Sequence, residues 1–211
     1  MTNLKDAQLA VEAGADAVGF VFYEKSPRNI DPEKVREIVA KLPSNLEKVG
    51  VFVDDSFKQI RDIVEGVKLT AVQLYARSLE HVEDLVTVNG NTVCPKLIMA
   101  LPVDELSQAD VLIQTSVLHA VMLDSGSGER PGGTGKTFDW NKAHNVIQSL
   151  GFRIPVIVAG GLTALNVGEA VKLFQPYGVD VASGVEAKPG KKDPAKLRAF
   201  VEAVRAAEKN N

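Results

Sequence analysis

The chain has 211 residues, 45% of them hydrophobic, a single cysteine, and a formal charge of −3 from 24 basic and 27 acidic side chains. That length suits one α/β domain around one core, and charges of both signs interspersed along the chain leave no electrostatic footprint for nucleic acid or an anionic membrane. A lone cysteine, Cys94, excludes an internal disulfide and any multi-cysteine metal site, which suits a reducing cytoplasm; neither a membrane-spanning apolar run nor a secretory signal is expected, so the partner is expected to be a small molecule.

In chain order, the periodicity predicts a helix over Asn3 to Ala13, a strand over Ala17 to Tyr23 and a helix over Pro32 to Leu42. A strand over Lys48 to Val53, a helix over Phe57 to Glu65, a strand over Ala71 to Tyr75 and a helix over Leu79 to Val88 follow. Then come strands over Val93 to Ala100 and His119 to Asp124, separated by a weaker helical stretch after Pro102, and a helix over Asp139 to Leu150. The last elements are a strand over Ile154 to Ala159, a helix over Ala164 to Phe174, a strand over Val179 to Ala182 and a helix over Pro194 to Lys209. Short apolar strands alternating with helices predict a parallel sheet covered by helices on its outer face. The irregular stretch Ser125 to Thr137 has the length that active-site lids use.

Two of the strands run into bare turns. Val156-Ile157-Val158-Ala159 leads into Gly160-Gly161, and Val179-Asp180-Val181-Ala182 leads into Ser183-Gly184, with a helical segment between. Where side chains are missing, backbone N–H groups beside a helix N-terminus can point at a dianion, so a phosphorylated small molecule is the expected ligand. Gly135-Lys136-Thr137 has the look of the end of a Walker A loop, but Arg130 stands where that loop needs a glycine, and four or more strands precede it. The reading favoured there is a glycine-rich lid with Lys136 near its end.

Read in order, Gly14-Ala15-Asp16-Ala17-Val18-Gly19-Phe20-Val21-Phe22, Lys25-Ser26-Pro27-Arg28, Val49-Gly50-Val51-Phe52-Val53, Ala71-Val72-Gln73-Leu74, Leu123-Asp124, Gly133-Thr134-Gly135-Lys136-Thr137-Phe138-Asp139-Trp140, Ala159-Gly160-Gly161-Leu162 and Asp180-Val181-Ala182-Ser183-Gly184-Val185-Glu186 closely resemble phosphoribosylanthranilate isomerase of tryptophan biosynthesis. The resemblance covers essentially the whole chain. It implies a (β/α)₈ TIM barrel of the ribulose-phosphate-binding type, residues 1–211 forming a single domain. It also implies a cofactor-free Amadori rearrangement of N-(5-phosphoribosyl)anthranilate to 1-(2-carboxyphenylamino)-1-deoxyribulose 5-phosphate. Asp124 matches the family's general acid, at the C-terminal end of its strand and hence on the catalytic face. An acid at neutral pH has to keep its proton, which calls for desolvation by substrate and lid. Arg28 matches the arginine that binds the anthranilate carboxylate, a planar pairing of guanidinium with carboxylate. Gly160, Gly161, Ser183 and Gly184 match the phosphate binders, and Asp180 a carboxylate that faces the ribose; a loop-bracing role for Asp180 stays open beside that one. No metal and no further macromolecular partner is implied. Monomer and homodimer both remain open, as does a former fusion to another tryptophan-pathway enzyme.

The chain departs from the family at two places. The family's general base is a cysteine in a Lys-(Ile/Val)-Cys-Gly-(Ile/Met)-Thr segment on the first strand, and Met1-Thr2-Asn3 aligns with the end of that segment, so the first strand and its base are expected to be missing from the sequence as given. Tyr75-Ala76-Arg77 stands where the family has His-Gly-Glu. Cys94 does not replace the base: it opens a strand, roughly 20 Å from the catalytic rim at about 3.3 Å per residue. His81 and His144 fall on predicted helices, and His119 opens a strand at the wrong end. Two alternatives to a working isomerase therefore remain, an inactive phosphate-binding barrel remnant without its base and another phosphosugar-binding barrel enzyme of tryptophan or histidine biosynthesis.

Overall fold

The computed structural model describes residues 1–75, 87–88, 91–92, 95–102, 118–124, 140, 143–144, 147, 150 and 153–209. They gather into two compact units, Met1–Ile98 with Pro189–Lys191 and Met99–Lys188 with Lys192–Asn211.

The first unit starts with helix α1 (Leu4–Ala13), because Asn3 accepts from the Asp6 N–H and so satisfies one of the helix's unpaired N-terminal donors; Gly14 stops it in the left-handed conformation, at φ 94°. Strand β1 (Ala17–Val21), helix α2 (Pro32–Val39), strand β2 (Glu47–Phe52), helix α3 (Phe57–Val67) and strand β3 (Ala71–Tyr75) follow. Asp31 caps α2 just ahead of Pro32, whose missing N–H costs nothing there, and Ser56 with Gln59 forms a capping box on α3. The strands pair in parallel, Ala17 opposite Glu47 and Val49 opposite Ala71. Alternation along β1 sends Val18 and Phe20 into the buried core, β2 buries Val49 and Phe52 on its two opposite faces, and Phe22 stacks on Phe52 with ring centroids 5.0 Å apart. The terminal ammonium of Met1 donates to the Gly19 carbonyl, so the N-terminus lies along the edge of β1.

Charges in this unit concentrate at the N-terminal ends of its strands. The Lys48 side chain is buried, and its ammonium donates to the carbonyls of Pro43 at 2.7 Å and Ser44 at 3.1 Å. Thr70 Oγ1 donates to Glu47 Oε2 at 2.6 Å, and Lys96 pairs with the same carboxylate. Burial alone would push the Glu47 carboxyl up, but the bonds from Lys96 and Thr70 outweigh it and hold the group below its usual range.

Strand β4 (Lys96–Pro102) leads from the first unit into the second, which continues with β5 (Leu118–Asp124), β6 (Val156–Val158), helix α4 (Val167–Phe174), the two-residue strand β7 (Gly178–Val179), a 3₁₀ turn at Ser183–Val185 and helix α5 (Pro194–Glu208). The seven strands hydrogen-bond in sequence order from β1 to β7, and Val121 lies in parallel register with Val156, Ile157 with Gly178. This is the strand–helix alternation expected of a (β/α)₈-type α/β fold. Five consecutive residues of β5, Ala120 to Asp124, are buried, as parallel strands covered on both faces require. Helices α4 and α5 pack on each other. Trp140, Ala143, His144, Ile147 and Leu150 are helical, within the span expected from sequence, and the Trp140 ring meets Phe174 edge-on at 5.7 Å. Among the described residues no helix is long and apolar enough to cross a membrane.

Three expectations need correction. The strand expected over Val179 to Ala182 covers only Gly178–Val179: Asp180 still donates its N–H to Val158 O at 2.9 Å, but the chain then leaves the sheet to enter the 3₁₀ turn. Thr87–Val88, expected at the end of a helix, instead pairs antiparallel with Asn91–Thr92, and the intervening Asn89-Gly90 is a hairpin signal that outweighs the helical pattern. The helix expected from Ala164 begins three residues later, because Thr163 to Asn166 forms a turn of its own. His81, Cys94, Arg77 and Lys136, the 125–137 loop and the helical stretch after Pro102 lie outside the described residues.

Phe52→Ala removes a fully buried ring and strands its stacking partner Phe22, at an expected cost of about 3–5 kcal/mol. A urea midpoint that barely moves would show that the first unit does not depend on this pair.

Candidate active site

The second unit brings together most of the residues expected to act. Asp124 closes β5 with its side chain buried at 5% exposure. One strand further along, Val158 leads into Gly160 and Gly161, at φ 88° and 63°. Two left-handed residues in succession are accessible at little cost only to glycine, and the chain needs them to turn back over the end of β6. After the next strand comes the 3₁₀ turn at Ser183–Val185.

The two turns touch. A Cβ on Gly184 would stand 1.9 Å from the carbonyl oxygen of Leu162, far inside contact distance, so this backbone approach tolerates no side chain. The first turn is held from behind by Asn166, whose amide donates to Gly161 O at 3.1 Å while its carbonyl accepts from the Thr163 N–H at 2.7 Å. The second is held by Lys192, whose ammonium donates to Ala182 O at 3.0 Å. One carbonyl of each turn, Gly161 O and Ala182 O, is engaged in this way.

Asp180 lies between strand β7 and the second turn. It is exposed to solvent, while neighbouring protein atoms still desolvate its carboxyl. Burial raises its pKa, the Lys192 ammonium opposes that, and the negative charge of Asp124 adds to it, so the proton is held above the usual aspartate range. Water reaching the side chain reduces the effect. The mutual influence places Asp124 and Asp180 within electrostatic reach of one another, on the side of the strand ends that also carries the two turns.

Arg28 belongs to the first unit, half-buried in the loop that follows β1. Successive bonds shape that loop: Ser26 N–H to Tyr23 O at 2.9 Å, Arg28 N–H to Ser26 Oγ at 3.2 Å, and Ile30 N–H back to Val21 O at 3.1 Å. The loop leaves the C-terminal end of its strand, as expected. Past the end of β2, burial pushes the Asp55 carboxyl up, and the charges of Asp54 and Glu24 add to the push. His119 is exposed near the start of β5 and His144 is helical, as the sequence reading had them. Among the described residues no group of three His, Cys, Asp or Glu side chains could hold a metal ion.

Sequence reasoning missed Asn166, Glu186 and Lys192. Thr163-Ala164-Leu165-Asn166 carries a readable signal, two turn-forming polar residues three apart ahead of an apolar helix. Lys192 carries none, because only the chain reversal at Gly190, φ 78°, returns it to Glu186.

A family profile described as N-(5'phosphoribosyl)anthranilate (PRA) isomerase matches residues 1–203. The N-(5'-phosphoribosyl)anthranilate isomerase of Geotalea uraniireducens (strain Rf4) is 43% identical over 201 residues, covering 95% of this chain and 93% of that one. Among solved structures, phosphoribosyl anthranilate isomerase from Thermotoga maritima superposes with a TM-score of 0.83 at 37% identity, over 98% of this chain and 96% of its own. A phosphoribosyl anthranilate isomerase crystallised with reduced 1-(o-carboxyphenylamino)-1-deoxyribulose 5-phosphate superposes with a TM-score of 0.80 at 35% identity, over 98% of this chain and 95% of its own.

The raised Asp180 proton affinity has a thermodynamic consequence. A carboxyl whose pKa is higher folded than unfolded binds more protons in the folded state, so its contribution to stability falls as pH rises from its unfolded value, about 3.9, through the folded one. Asp180→Asn removes that cost, while Lys192 keeps Glu186 as its counter-ion. The variant is expected to melt higher than the parent at pH 7, by a margin that shrinks as the pH approaches 4. A margin independent of pH would show that ionisation of Asp180 is not what it measures.

Proposed function

The chain belongs to the PRA isomerase family, and from that premise we propose that it converts N-(5-phosphoribosyl)anthranilate to 1-(2-carboxyphenylamino)-1-deoxyribulose 5-phosphate in tryptophan biosynthesis, in the cytoplasm. The observation that carries the proposal is the backbone contact between the two turns, with Gly184 against Leu162, beside two carboxyl groups at the ends of β5 and β7.

The substrate has three handles, and each meets a matching chemistry. Its phosphate takes the N–H groups around Gly160, Gly161, Ser183 and Gly184, which bind a dianion without bringing a formal charge. Its anthranilate carboxylate takes the Arg28 guanidinium. Its ribose lies by Asp124 and Asp180. Asp124 gives a proton to the ring oxygen, the bond from that oxygen to the anomeric carbon breaks, and the anilino nitrogen supplies its lone pair to form a protonated Schiff base. Loss of the proton on the adjacent carbon then gives an enolamine that tautomerises to the ketose, so the step is an internal redox exchange that needs no cofactor. A buried acid at a strand end is held to one position, which favours proton transfer over a short distance.

The acceptor for the carbon-bound proton is the family's cysteine, which by resemblance precedes the segment aligned with Met1-Thr2-Asn3. Met1 lies at the edge of β1, bonded to Gly19 O, so residues joined ahead of it start alongside that strand. Cys94 comes two residues before Lys96, where β4 begins, whereas Asp124 closes its own strand.

Two substitutions test the assignments, made in a form carrying the cysteine segment ahead of Thr2. Asp124→Asn keeps shape and loses the transferable proton, so turnover is expected to fall by at least ~10²-fold with product-analogue affinity nearly unchanged. Near-normal turnover would sink the role of Asp124. Arg28→Ala is expected to weaken binding by about 2 to 3 kcal/mol, and only for ligands that carry the ring carboxylate. Calorimetric titration of a ligand pair with and without that group distinguishes this from a general loosening, which would penalise both alike.

A further inference from the structure

One buried cation of the second unit has no part in the reaction as written. The Lys192 side chain is 9% exposed, its ammonium 3.6 Å from Glu186 Oε1, whose own side chain is 4% exposed. Burying a charged pair is costly, and the cost is recovered only where the geometry satisfies both groups. Here the ammonium also donates to Ala182 O at 3.0 Å, and the Glu186 carbonyl accepts from Lys196 Nζ at 3.0 Å.

The carbonyl that Lys192 engages belongs to the peptide unit whose other end is the Ser183 N–H. No cis peptide occurs among the described residues, so C=O and N–H of that plane point in opposite directions. Fixing the carbonyl on a buried ammonium therefore fixes the direction of the N–H. A cation on the oxygen also draws electron density along the amide, which makes the N–H a stronger donor.

We propose that Lys192 is a positioning residue that aims and polarises the Ser183 N–H for the substrate phosphate, with Glu186 anchoring the ammonium; the proposal rests on the reading of Ser183 and Gly184 as phosphate binders. Glu186 cancels the formal charge of Lys192, so what reaches the phosphate is a directed peptide dipole. The same ammonium opposes the raised proton affinity of Asp180, which places it within reach of the sugar end of the site as well. On the first turn Asn166 does the equivalent with a neutral amide on Gly161 O.

The test replaces both members of the pair, Lys192→Met with Glu186→Gln, so that no unpaired charge is left buried, and a thermal melt checks the fold. Titrated with inorganic phosphate, the double variant is expected to bind about tenfold more weakly than the parent, the loss of one charge-assisted bond, while its affinity for anthranilate is unchanged. Lys192→Arg, which keeps a cationic donor for Ala182 O and Glu186, is expected to stay within about threefold of the parent for phosphate. In the active form, kcat/KM for the phosphorylated substrate is expected to fall by at least the same factor, about tenfold. Parent-like phosphate affinity in the folded double variant overturns the proposal. So do equal losses for phosphate and anthranilate, which a merely structural pair would produce, and so does a parent that binds no phosphate. Should the double variant not fold, Lys192→Gln against Lys192→Arg decides it: weaker phosphate binding by Gln alone supports the proposal, and equal binding overturns it. A parent that binds phosphate but never isomerises the substrate would count against the isomerase reading and leave the role of Lys192 standing.

Discussion

The second unit depends on two stretches of backbone being in contact. Leu162 O occupies the space where any side chain at position 184 would begin, so the second turn can exist only with glycine there, and the first only with glycines able to take positive φ at 160 and 161. Each turn then has one carbonyl drawn away from the ligand side, Gly161 O by Asn166 and Ala182 O by Lys192. Peptide planes are rigid, so tethering the oxygen orients the N–H beyond it. Donors held in this way pay little reorganisation when an anion arrives, and that is why uncharged peptide groups can compete with water for a dianion.

Charge balance explains why peptide groups are used there. Asp124, Asp180 and Glu186 bring three carboxyl groups to the neighbourhood of the Lys192 ammonium. A phosphate brought into such surroundings is repelled unless fixed dipoles outweigh the repulsion, and a second lysine would disturb the carboxyl groups on which proton transfer depends. Burial already makes Asp180 retain its proton more strongly, and the charge of Asp124 adds to this. On the proposed reading, the site keeps its positive potential in short-range N–H groups at one end and its proton chemistry at the other, with Lys192 linking them.

Much of this was legible in the sequence where local chemistry dictates structure. Asn3 before α1, Asp31-Pro32 before α2 and Ser56 with Gln59 at α3 are caps whose bonds form within a few residues, and the helix starts follow them closely. Gly160-Gly161 and Ser183-Gly184 were equally readable, since bare turns after apolar runs have few other uses. What failed depended on partners distant in sequence or on competition between local signals. Val181 is β-branched and apolar, and read as strand, but the turn that follows pulls it out of the sheet. Thr87–Val88 read as the end of a helix, yet pairs antiparallel with Asn91–Thr92. Lys192 and Glu186 read as ordinary charges, because nothing in a window of sequence says that both side chains will be buried against each other.

Proton transfer and phosphate binding are placed on different kinds of structure, for a physical reason. Asp124 ends a strand buried on both faces, where displacement would open a void in close-packed surroundings, so its carboxyl is held about as firmly as the core itself. The phosphate groups lie on turns, which can approach a ligand with backbone alone but would be soft if left unsupported. Asn166 and Lys192 supply the missing stiffness. The substrate's phosphate does not react, yet it is the handle with the most charge, and energy gained there can be used to hold the ribose against Asp124. A carboxyl on a rigid strand gains from that only if the phosphate site is nearly as rigid, since a displacement of about 1 Å at one end is carried through the substrate to the other and costs on the order of 10²-fold in rate. Backbone contact between the turns and tethered carbonyls behind them meet that requirement without adding a charge beside the acid.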